Sequence, residues 1–387
     1  MLTVEFELAG QRMVALNGGP MFRFNPSFSF YVTCESVEEV DALWAHLSNG
    51  GRELMPLDAY PWSKRFGWVE DRYGLSWQIA FGKLADVGRK LAPMFMFAGE
   101  RRGQAEAALN FYTELFPPSQ IDGILKYGPE HGDHEGLVLH AQFHCGGQTF
   151  MVIDNPDDVE HPFSEAASLM LICHDQQEVD NYWERLSAGG GQPWRCCWLK
   201  DRFGIAWQVV PAAFLEWMAD PAKAPGALAA LMWMQKPDIE TLEKGANGQA
   251  KPSLIARGFA KTSAESAWDC WTKPEHIVHW NFAAPEWHCP RAEVDLRPGG
   301  RFSWRMEARD GSMGFDFSGE FETVQAPHLL RYRLDDNRLV QVDFYPANGG
   351  TYITEVFEPE NSNPPEMQQK GWQAILDNFV RYAENEL

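Results

Sequence analysis

The chain has 387 residues, of which 45% are hydrophobic and 16 are tryptophan, and its formal net charge is −21. This length is typical of two or three globular domains, and the acidic balance argues against nucleic acid or an anionic membrane surface as partner, because both bind clusters of Lys and Arg. No sequence stretch is apolar enough to span a bilayer. Seven cysteines without Cys-x-x-Cys spacing favour reduced thiols and a cytoplasmic location.

The first part of the chain, residues 1–85, is predicted to hold strands on both sides of one amphipathic helix. Apolar and polar residues alternate over 2–8, which predicts a half-buried strand. Ser36 stands in capping-box spacing with Glu39, which predicts the start of the helix. Further strands are expected over 13–16, 28–34, 66–69 and 75–81.

A long stretch of this part returns later in the chain. Residues 66–78 are echoed by 196–208, and both stretches place an Asp-Arg-aromatic-Gly turn before their last strand, at Asp71 and Asp201. The second copy carries an additional front segment, roughly 90–139, that the first copy lacks. A repeated order of strand, helix, glycine turn and strand predicts one structural unit used one and a half times.

Three motifs of the second copy match a known group: Phe111-Tyr112-x-x-Leu115-Phe116, the strand His140-Ala141-Gln142-Phe143 before Gly146-Gly147, and the turn Asp201-Arg202-Phe203-Gly204. These residues resemble PhnB-like proteins of the glyoxalase/vicinal oxygen chelate (VOC) superfamily, a branch that also carries a demethylubiquinone methyltransferase label. The resemblance covers about 1–240 and implies βαβββ modules paired into a cup-shaped sheet whose concave face holds the site. It makes 1–85 a truncated module and 90–242 a complete domain.

The metal-using VOC enzymes place one ligand on each of the first, fourth, fifth and eighth strands, typically His, Glu or Gln. A divalent ion needs several such donors that converge on it. The corresponding positions here fall within Met94–Phe97 and at Met151, Ser168 and Gln208, and the truncated copy offers Val14, Ser29 and Gln78. Neither set supplies three ligands, so we expect no metal and no other cofactor.

His140 and Gln142 share one strand face by two-residue alternation, and the resemblance places that face in the cup. We expect them to line a ligand pocket with polar groups. In a catalytic reading, His140 is the possible general base and Gln208 positions the substrate. A weaker metal signal remains in His131, His134, His140 and His144. The expected lining of the cup is His140, Gln142, Met151, Ser168, Trp207 and Gln208.

Residues 243–252 are rich in Gly, Ala, Asn and Lys and read as a linker. Beyond them the pattern changes to a strand, two short helices, six strands and a long final helix that starts near Pro365. Ser263 and Glu265 belong to the stretch that caps the first of these helices. The final helix presents one apolar face.

The stretch 253–387 contains Trp271-Thr272-Lys273-Pro274-Glu275-His276-Ile277, Asp295-Leu296-Arg297-Pro298-Gly299-Gly300-Arg301-Phe302 and Gly371-Trp372. It resembles the START-like helix-grip (SRPBCC) superfamily, and most closely the branch of activators of the heat-shock ATPase. The resemblance implies a curved antiparallel sheet around the long C-terminal helix, with a ligand pocket in the gap between them. Candidate lining residues are Trp280, Phe282, Trp287, Trp304 and Trp372. For any single one of them, burial for packing alone is the favoured alternative.

The predicted fold class is therefore α+β, with one and a half copies of the VOC cup and a helix-grip domain. The leading functional hypothesis is a cytoplasmic, metal-independent protein that binds a small apolar or aromatic metabolite. One alternative is a metal-free glyoxalase-like lyase, isomerase or transferase that acts on an oxygenated metabolite. A second is a chaperone-linked interaction protein that acts through its C-terminal domain.

An isolated half cup exposes a sheet edge and an apolar concave face, which is unfavourable unless both are covered. We therefore expect residues 1–85 either to pack on the complete cup or to form a homodimer with a second chain.

Overall fold

The computed structural model describes residues 3–18, 22–250, 252–347 and 349–385. Leu2 of the first predicted strand and Lys251 of the predicted linker lie outside these ranges. The chain divides into two compact units. Unit 1 comprises 1–172, 177–193 and 198–209, and unit 2 comprises 173–176, 194–197 and 210–387.

The repeat region alternates strands and helices as the resemblance implies. Its strands are β1 (Thr3–Leu8), β2 (Gln11–Leu16), β3 (Phe28–Cys34), β4 (Arg52–Tyr60), β5 (Ser63–Glu70), β6 (Ser76–Phe81), β7 (Leu91–Phe97), β8 (Gln120–Lys126), β9 (Val138–Cys145), β10 (Gln148–Asp154), β11 (Ser168–Cys173), β12 (Gln192–Pro193), β13 (Trp198–Lys200) and β14 (Ala206–Pro211). Its helices are α1 (Val37–Leu47), α2 (Leu84–Val87), α3 (Ala105–Leu115) and α4 (Gln176–Ser187).

The predicted start of α1 is confirmed. The Ser36 hydroxyl accepts a hydrogen bond from the backbone N–H of Glu39 at 3.1 Å. The Glu39 carboxylate accepts one from the N–H of Glu35 at 3.2 Å. The Ser36 side chain therefore satisfies an N–H group that the first turn of the helix leaves unpaired, and the Glu39 side chain satisfies the N–H of the residue before the cap.

The largest sheet has eight strands in the order β4-β5-β6-β3-β7-β10-β9-β8. At its centre β3 runs antiparallel to β7, and Ser29 lies opposite Met94. The sheet thus joins the module of the first copy (β3–β6) to the front module of the second copy (β7–β10). The two modules of the second copy do not share this sheet, contrary to the expected cup. A connection of only nine residues, 82–90, separates β6 from β7, and elements that are close in sequence usually pack together.

The last module forms its own four-stranded sheet, in the order β11-β14-β13-β12. Among the described strands, β1 and β2 pair only with each other, with Phe6 opposite Met13. Of the two arrangements expected for the truncated module, the structure shows packing on the second copy, because β7 covers the edge of β3. β11 is left at a sheet edge.

Unit 2 contains the C-terminal sheet of seven antiparallel strands in the order β15-β21-β20-β19-β18-β17-β16. These are β15 (Leu254–Ala260), β16 (Trp287–Val294), β17 (Arg301–Ala308), β18 (Gly314–Gln325), β19 (Leu329–Leu334), β20 (Leu339–Ala347) and β21 (Gly350–Phe357). The helices are α5 (Ala212–Ala219), α6 (Ala224–Leu231), α7 (Ile239–Lys244), α8 (Ala264–Thr272), α9 (Pro274–Trp280) and α10 (Pro365–Asn385).

The long helix α10 follows the edge strand β15. Gln373 accepts from the Arg257 N–H at 3.0 Å and donates to the Arg257 carbonyl at 2.9 Å. Gln369 likewise accepts from the Ile255 N–H and donates to the Ile255 carbonyl. Buried residues of α10, among them Leu376 and Phe379, join those of α8, α9 and the sheet in one core. This is the helix-grip arrangement that the resemblance implied.

The region read as a linker is mostly helical. Residues Gly245–Gln249 continue α7 as a π-helical turn, in which Gly245 and Ala246 are buried. A Cβ added to Gly245 would lie 2.6 Å from the Gly226 carbonyl oxygen of α6. The small residues that suggested flexibility therefore permit close helix packing.

Two short pieces of the repeat region belong to unit 2. In the segment 194–197, Arg195 pairs with Asp343 of β20 at 3.2 Å, and both side chains are almost fully buried. The Trp194 ring stacks on the Tyr345 ring at 3.9 Å.

Among the described residues, no helix combines the length and the apolarity needed to cross a membrane.

Candidate functional site

The centre of the eight-stranded sheet brings together the positions that hold metal ligands in the metal-using enzymes, but takes them from both copies. Met151 lies beside Met94 on paired strands, and Met94 lies opposite Ser29. Gln78 completes the set by donating from its amide nitrogen to the Ser29 hydroxyl at 3.0 Å. All four side chains are buried.

These four residues do not fit a divalent cation. Two thioethers, one hydroxyl and one neutral amide include no carboxylate, imidazole or thiolate, which are the donors that bind zinc and similar ions. Within the described ranges, no three His, Cys, Asp or Glu side chains converge on a possible metal site.

Beside this centre lies an open depression of about 370 Å³. It is lined by Asp122, Gly123, Ile124, Leu125, His140 and Gln142. The predicted lining residues His140 and Gln142 therefore do lie together. Burial lowers the pKa of His140 below its ordinary value, so that its imidazole is neutral at pH 7 and offers one donor and one acceptor.

The helix α2 lies over part of the same sheet. Its Val87 packs with Met94 and Met151, and its Asp86 carbonyl accepts from the Gln142 amide nitrogen at 3.0 Å. The Tyr31 ring centroid is 6.4 Å from that of His140. Burial raises the pKa of Tyr31 to about 12, which keeps its hydroxyl protonated.

Two further predicted lining residues, Ser168 and Gln208, lie on the four-stranded sheet and not with His140. Gln208 donates to the Ser168 hydroxyl at 2.9 Å, which repeats the Gln78–Ser29 pair. Trp207, a neighbour of Gln208 in β14, points to the opposite face, because successive side chains of a strand alternate. Its indole N–H donates to the Asp201 carboxylate at 2.8 Å, so that it belongs to the packing of that face.

The helix-grip domain supplies a second candidate set of aromatic side chains, which lie in or against its hydrophobic core. Trp372 of α10 stacks on Phe357 with 3.9 Å between the ring centroids, and Trp304 stacks on Phe317 with 5.6 Å between them. The indole nitrogen of Trp304 is buried and lacks a hydrogen-bond partner within the described part of the chain.

The Trp304 ring is 6.2 Å from that of Tyr332. Tyr332 donates at 3.5 Å to the carboxyl group of Glu355, whose pKa burial raises to about 8. At pH 7 this carboxyl group is mostly neutral. The interior of this domain therefore holds two polar groups beside its aromatic rings, the Tyr332 hydroxyl and the mostly neutral Glu355 carboxyl group.

The other aromatic candidates of this domain differ in their surroundings. Trp280 is core, since it is fully buried and its N–H donates to the Cys270 carbonyl at 2.9 Å. Phe282 and Trp287 are partly buried in the segment that follows α9. A Cβ added to Gly371 of α10 would meet no atom within 4 Å, so that a larger side chain has room at this position.

The repeat region matches the family model described as 3-demethylubiquinone-9 3-methyltransferase over residues 1–80 and 89–210, more than half of the chain. The chain belongs to the 3-demethylubiquinone-9 3-methyltransferase family. In this family member, residues 261–384 also match the model described as activator of Hsp90 ATPase homolog 1-like protein. Both are families of small-molecule-binding domains, and both resemblances drawn from the sequence are confirmed.

Solved structures resemble single parts of this family member. An AHSA1-like protein from Aeromonas hydrophila is 44% identical, with 34% of this chain and 92% of that chain covered and a TM-score of 0.33. A putative 3-demethylubiquinone-9 3-methyltransferase, PhnB protein, from Bacillus cereus is 34% identical, with 31% and 96% covered and a TM-score of 0.28. No curated protein matches the chain significantly.

On the eight-stranded sheet of this family member, His144 has an acidic partner that the sequence does not predict. Its Nε2 lies 2.8 Å from Asp122 Oδ2, and its Nδ1 lies 3.0 Å from the Thr149 hydroxyl. Gln142 donates to the same carboxylate oxygen of Asp122 at 2.8 Å. Alternation along β9 predicts that His144 lies on the same face of the sheet as His140. Asp122 lies beside His144 because of the register in which β8 pairs with β9, and a single sequence does not reveal that register.

Proposed function

We propose that this protein is a cytoplasmic, metal-independent binder of a small aromatic or apolar metabolite that carries a neutral oxygen group. The observation that carries the proposal is the depression on the eight-stranded sheet. There, a neutral imidazole and an amide stand beside the apolar side chains of Ile124 and Leu125. Ligand sites typically combine an apolar wall with a few polar groups, and their volumes begin at about 300 Å³.

The chemistry of the lining favours a neutral ligand over an anion. Asp122 places a carboxylate in the wall, where its negative charge repels anions. The neutral imidazole of His140 can donate to, or accept from, a hydroxyl or carbonyl group. The amide nitrogen of Gln142 already donates to Asp86 and Asp122, so that its amide oxygen is the group that can accept from a ligand hydroxyl. The thioethers of Met94 and Met151 provide a polarizable surface close by.

The test uses 2-naphthol, a neutral fluorescent aromatic alcohol, titrated into the full-length chain. The His140→Leu variant removes one hydrogen-bonding group, so we expect binding to weaken about tenfold. His131→Leu is the matched control, because His131 is exposed and outside the lining, and its affinity should equal that of the unmodified chain. Prior dialysis against EDTA should leave both affinities unchanged.

Two outcomes would reject the proposal: equal affinities for His140→Leu and the unmodified chain, or loss of binding after EDTA. A Gly371→Trp variant separates the two candidate sites, because it places a bulky side chain next to Trp372 without a clash at its Cβ. Binding that disappears in Gly371→Trp but persists in His140→Leu would assign the ligand to the helix-grip domain and remove it from the cup.

A further inference from the structure

The edge strand β11 has a sequence counterpart, β3, whose edge is covered. Aligning Cys34 with Cys173 places Ser29 with Ser168 and Thr33 with Ile172. Thr33 is 1% exposed, whereas Ile172 is 39% exposed and Met170 is 37% exposed. The same element thus occurs twice in one chain, once paired with the first strand of another module and once without such a partner among the described strands.

The composition of β11 sets it apart from the other edge strands. Exposed edges are usually protected by charged residues, proline, bulges or short length. β11 consists of Ser168-Leu169-Met170-Leu171-Ile172-Cys173 and contains neither charge nor proline. Features that protect or cover the other edges of the larger sheets are Arg52, Glu53 and Pro56 in β4, Asp122 and Lys126 in β8, Pro193 in the two-residue β12, Gln369 and Gln373 beside β15, and Pro290, Arg291 and Glu293 in β16.

The β3–β7 pairing within the chain points to a second copy as the occupant of this edge, because there the first strand of one module covers the first strand of another. The charge of β11 permits such a pairing. At a net charge of −21, two copies repel each other over most of their surfaces. β11 is an uncharged strip, so two β11 strands meet without like charges in contact. A strand paired antiparallel with its own copy also satisfies the two-fold symmetry of an isologous dimer.

We infer that β11 pairs antiparallel with β11 of a second copy, and that this pairing joins two β11–β14 modules into one eight-stranded sheet. The arrangement copies the β3–β7 pairing within the chain. It covers Met170 and Ile172, and it places the Ser168–Gln208 pair of each copy in a second concave surface. This interface is distinct from the dimer through residues 1–85 that the sequence suggested.

The test measures the mass of the full-length chain by light scattering at tens of micromolar. We expect the mass of two chains for the unmodified protein and of one chain, 43.9 kDa, for the double variant Met170→Lys, Ile172→Lys. Both side chains are already partly exposed, so lysines are tolerated in the separate chain. Val4→Lys is the matched control, because Val4 is 48% exposed on the β1–β2 hairpin, and this variant should keep the two-chain mass.

An unmodified chain with the mass of one chain overturns the inference. So does a double variant that keeps the two-chain mass, or a dimer that only Val4→Lys dissociates. Amide hydrogen exchange of the unmodified protein provides a readout that does not depend on how the variants fold. The β11 amides that face the open edge should exchange slowly, and exchange as fast as in an unpaired edge strand also overturns the inference.

Discussion

The β3–β6 and β11–β14 modules follow the same sequence pattern but lie in different surroundings. In the first, β7 covers the edge of β3, and β4 is the outer strand of the sheet. The second keeps an open edge at β11 and repeats the same internal hydrogen bonds, such as the Ser–Gln pair. The difference teaches that the module's sequence specifies its internal bonds, whereas its neighbours determine how much those bonds contribute.

The largest expected difference between the modules concerns the Asp-x-x-Gly turns. Asp71 and Asp201 both accept two backbone N–H bonds and one indole N–H bond. Asp201 is buried and also accepts from the Tyr112 hydroxyl at 2.6 Å. We expect Asp201→Ala to lower the free energy of unfolding by about 4 kcal/mol and Asp71→Ala by about 1.5 kcal/mol, because a lost acceptor costs more where its donors are buried.

Urea unfolding followed by tryptophan fluorescence measures both values. Tyr112→Phe removes only the additional bond of the second copy and should cost about 1 kcal/mol. Equal losses for the two alanine variants would show that the turns are energetically equivalent despite their different burial.

The second expected difference concerns aligned positions that the two modules use differently. Gly67 packs under Trp44, where an added Cβ would lie 2.4 Å from a ring carbon. Its counterpart is Cys197, a buried residue with φ of +74°. We expect Gly67→Cys to destabilise by about 2 kcal/mol through overpacking.

The reciprocal change, Cys197→Gly, should stay within about 1 kcal/mol of zero, because relief of the left-handed backbone offsets the lost burial. Thermal unfolding of the two variants measures the difference between their changes in stability. A large loss for Cys197→Gly together with a negligible one for Gly67→Cys would reverse this comparison.

The smallest expected difference concerns the repeated Ser–Gln pair. In Gln78→Leu the buried Ser29 hydroxyl loses its donor, which should cost about 1.5 kcal/mol. Gln208→Leu should cost about 0.5 kcal/mol in a separate chain, because water reaches the half-buried Ser168. Urea midpoints measure both, and equal costs would indicate that Ser168 is as well shielded as Ser29.

Local elements could be predicted from the sequence because they depend on periodicity and capping. The Ser36 cap of α1, the C-terminal strands and the apolar face of α10 all follow from short-range patterns. The helical turn at Gly245–Gln249 could not, since small residues suit both flexible segments and close helix contacts.

The candidate site was only partly predictable for a different reason. His140 and Gln142 were recognised because they alternate on one strand, and they do lie together. Ser168 and Gln208 were placed with them because a cup was expected within the second copy. Nothing local in β3, β7 or β11 states which first strand pairs with which, so the choice of partner depends on the whole fold.

The Arg195–Asp343 ion pair bears on how the protein can be cut for experiments. A fragment that contains only residues 253–387 retains Asp343 without Arg195, and it leaves the Tyr345 ring without the Trp194 ring that stacks on it. An uncompensated buried charge is strongly destabilising. We therefore expect a fragment that starts at 253 to be less stable than one that retains Trp194–Cys197, and fragments for isotope labelling or crystallisation are better chosen to include this segment.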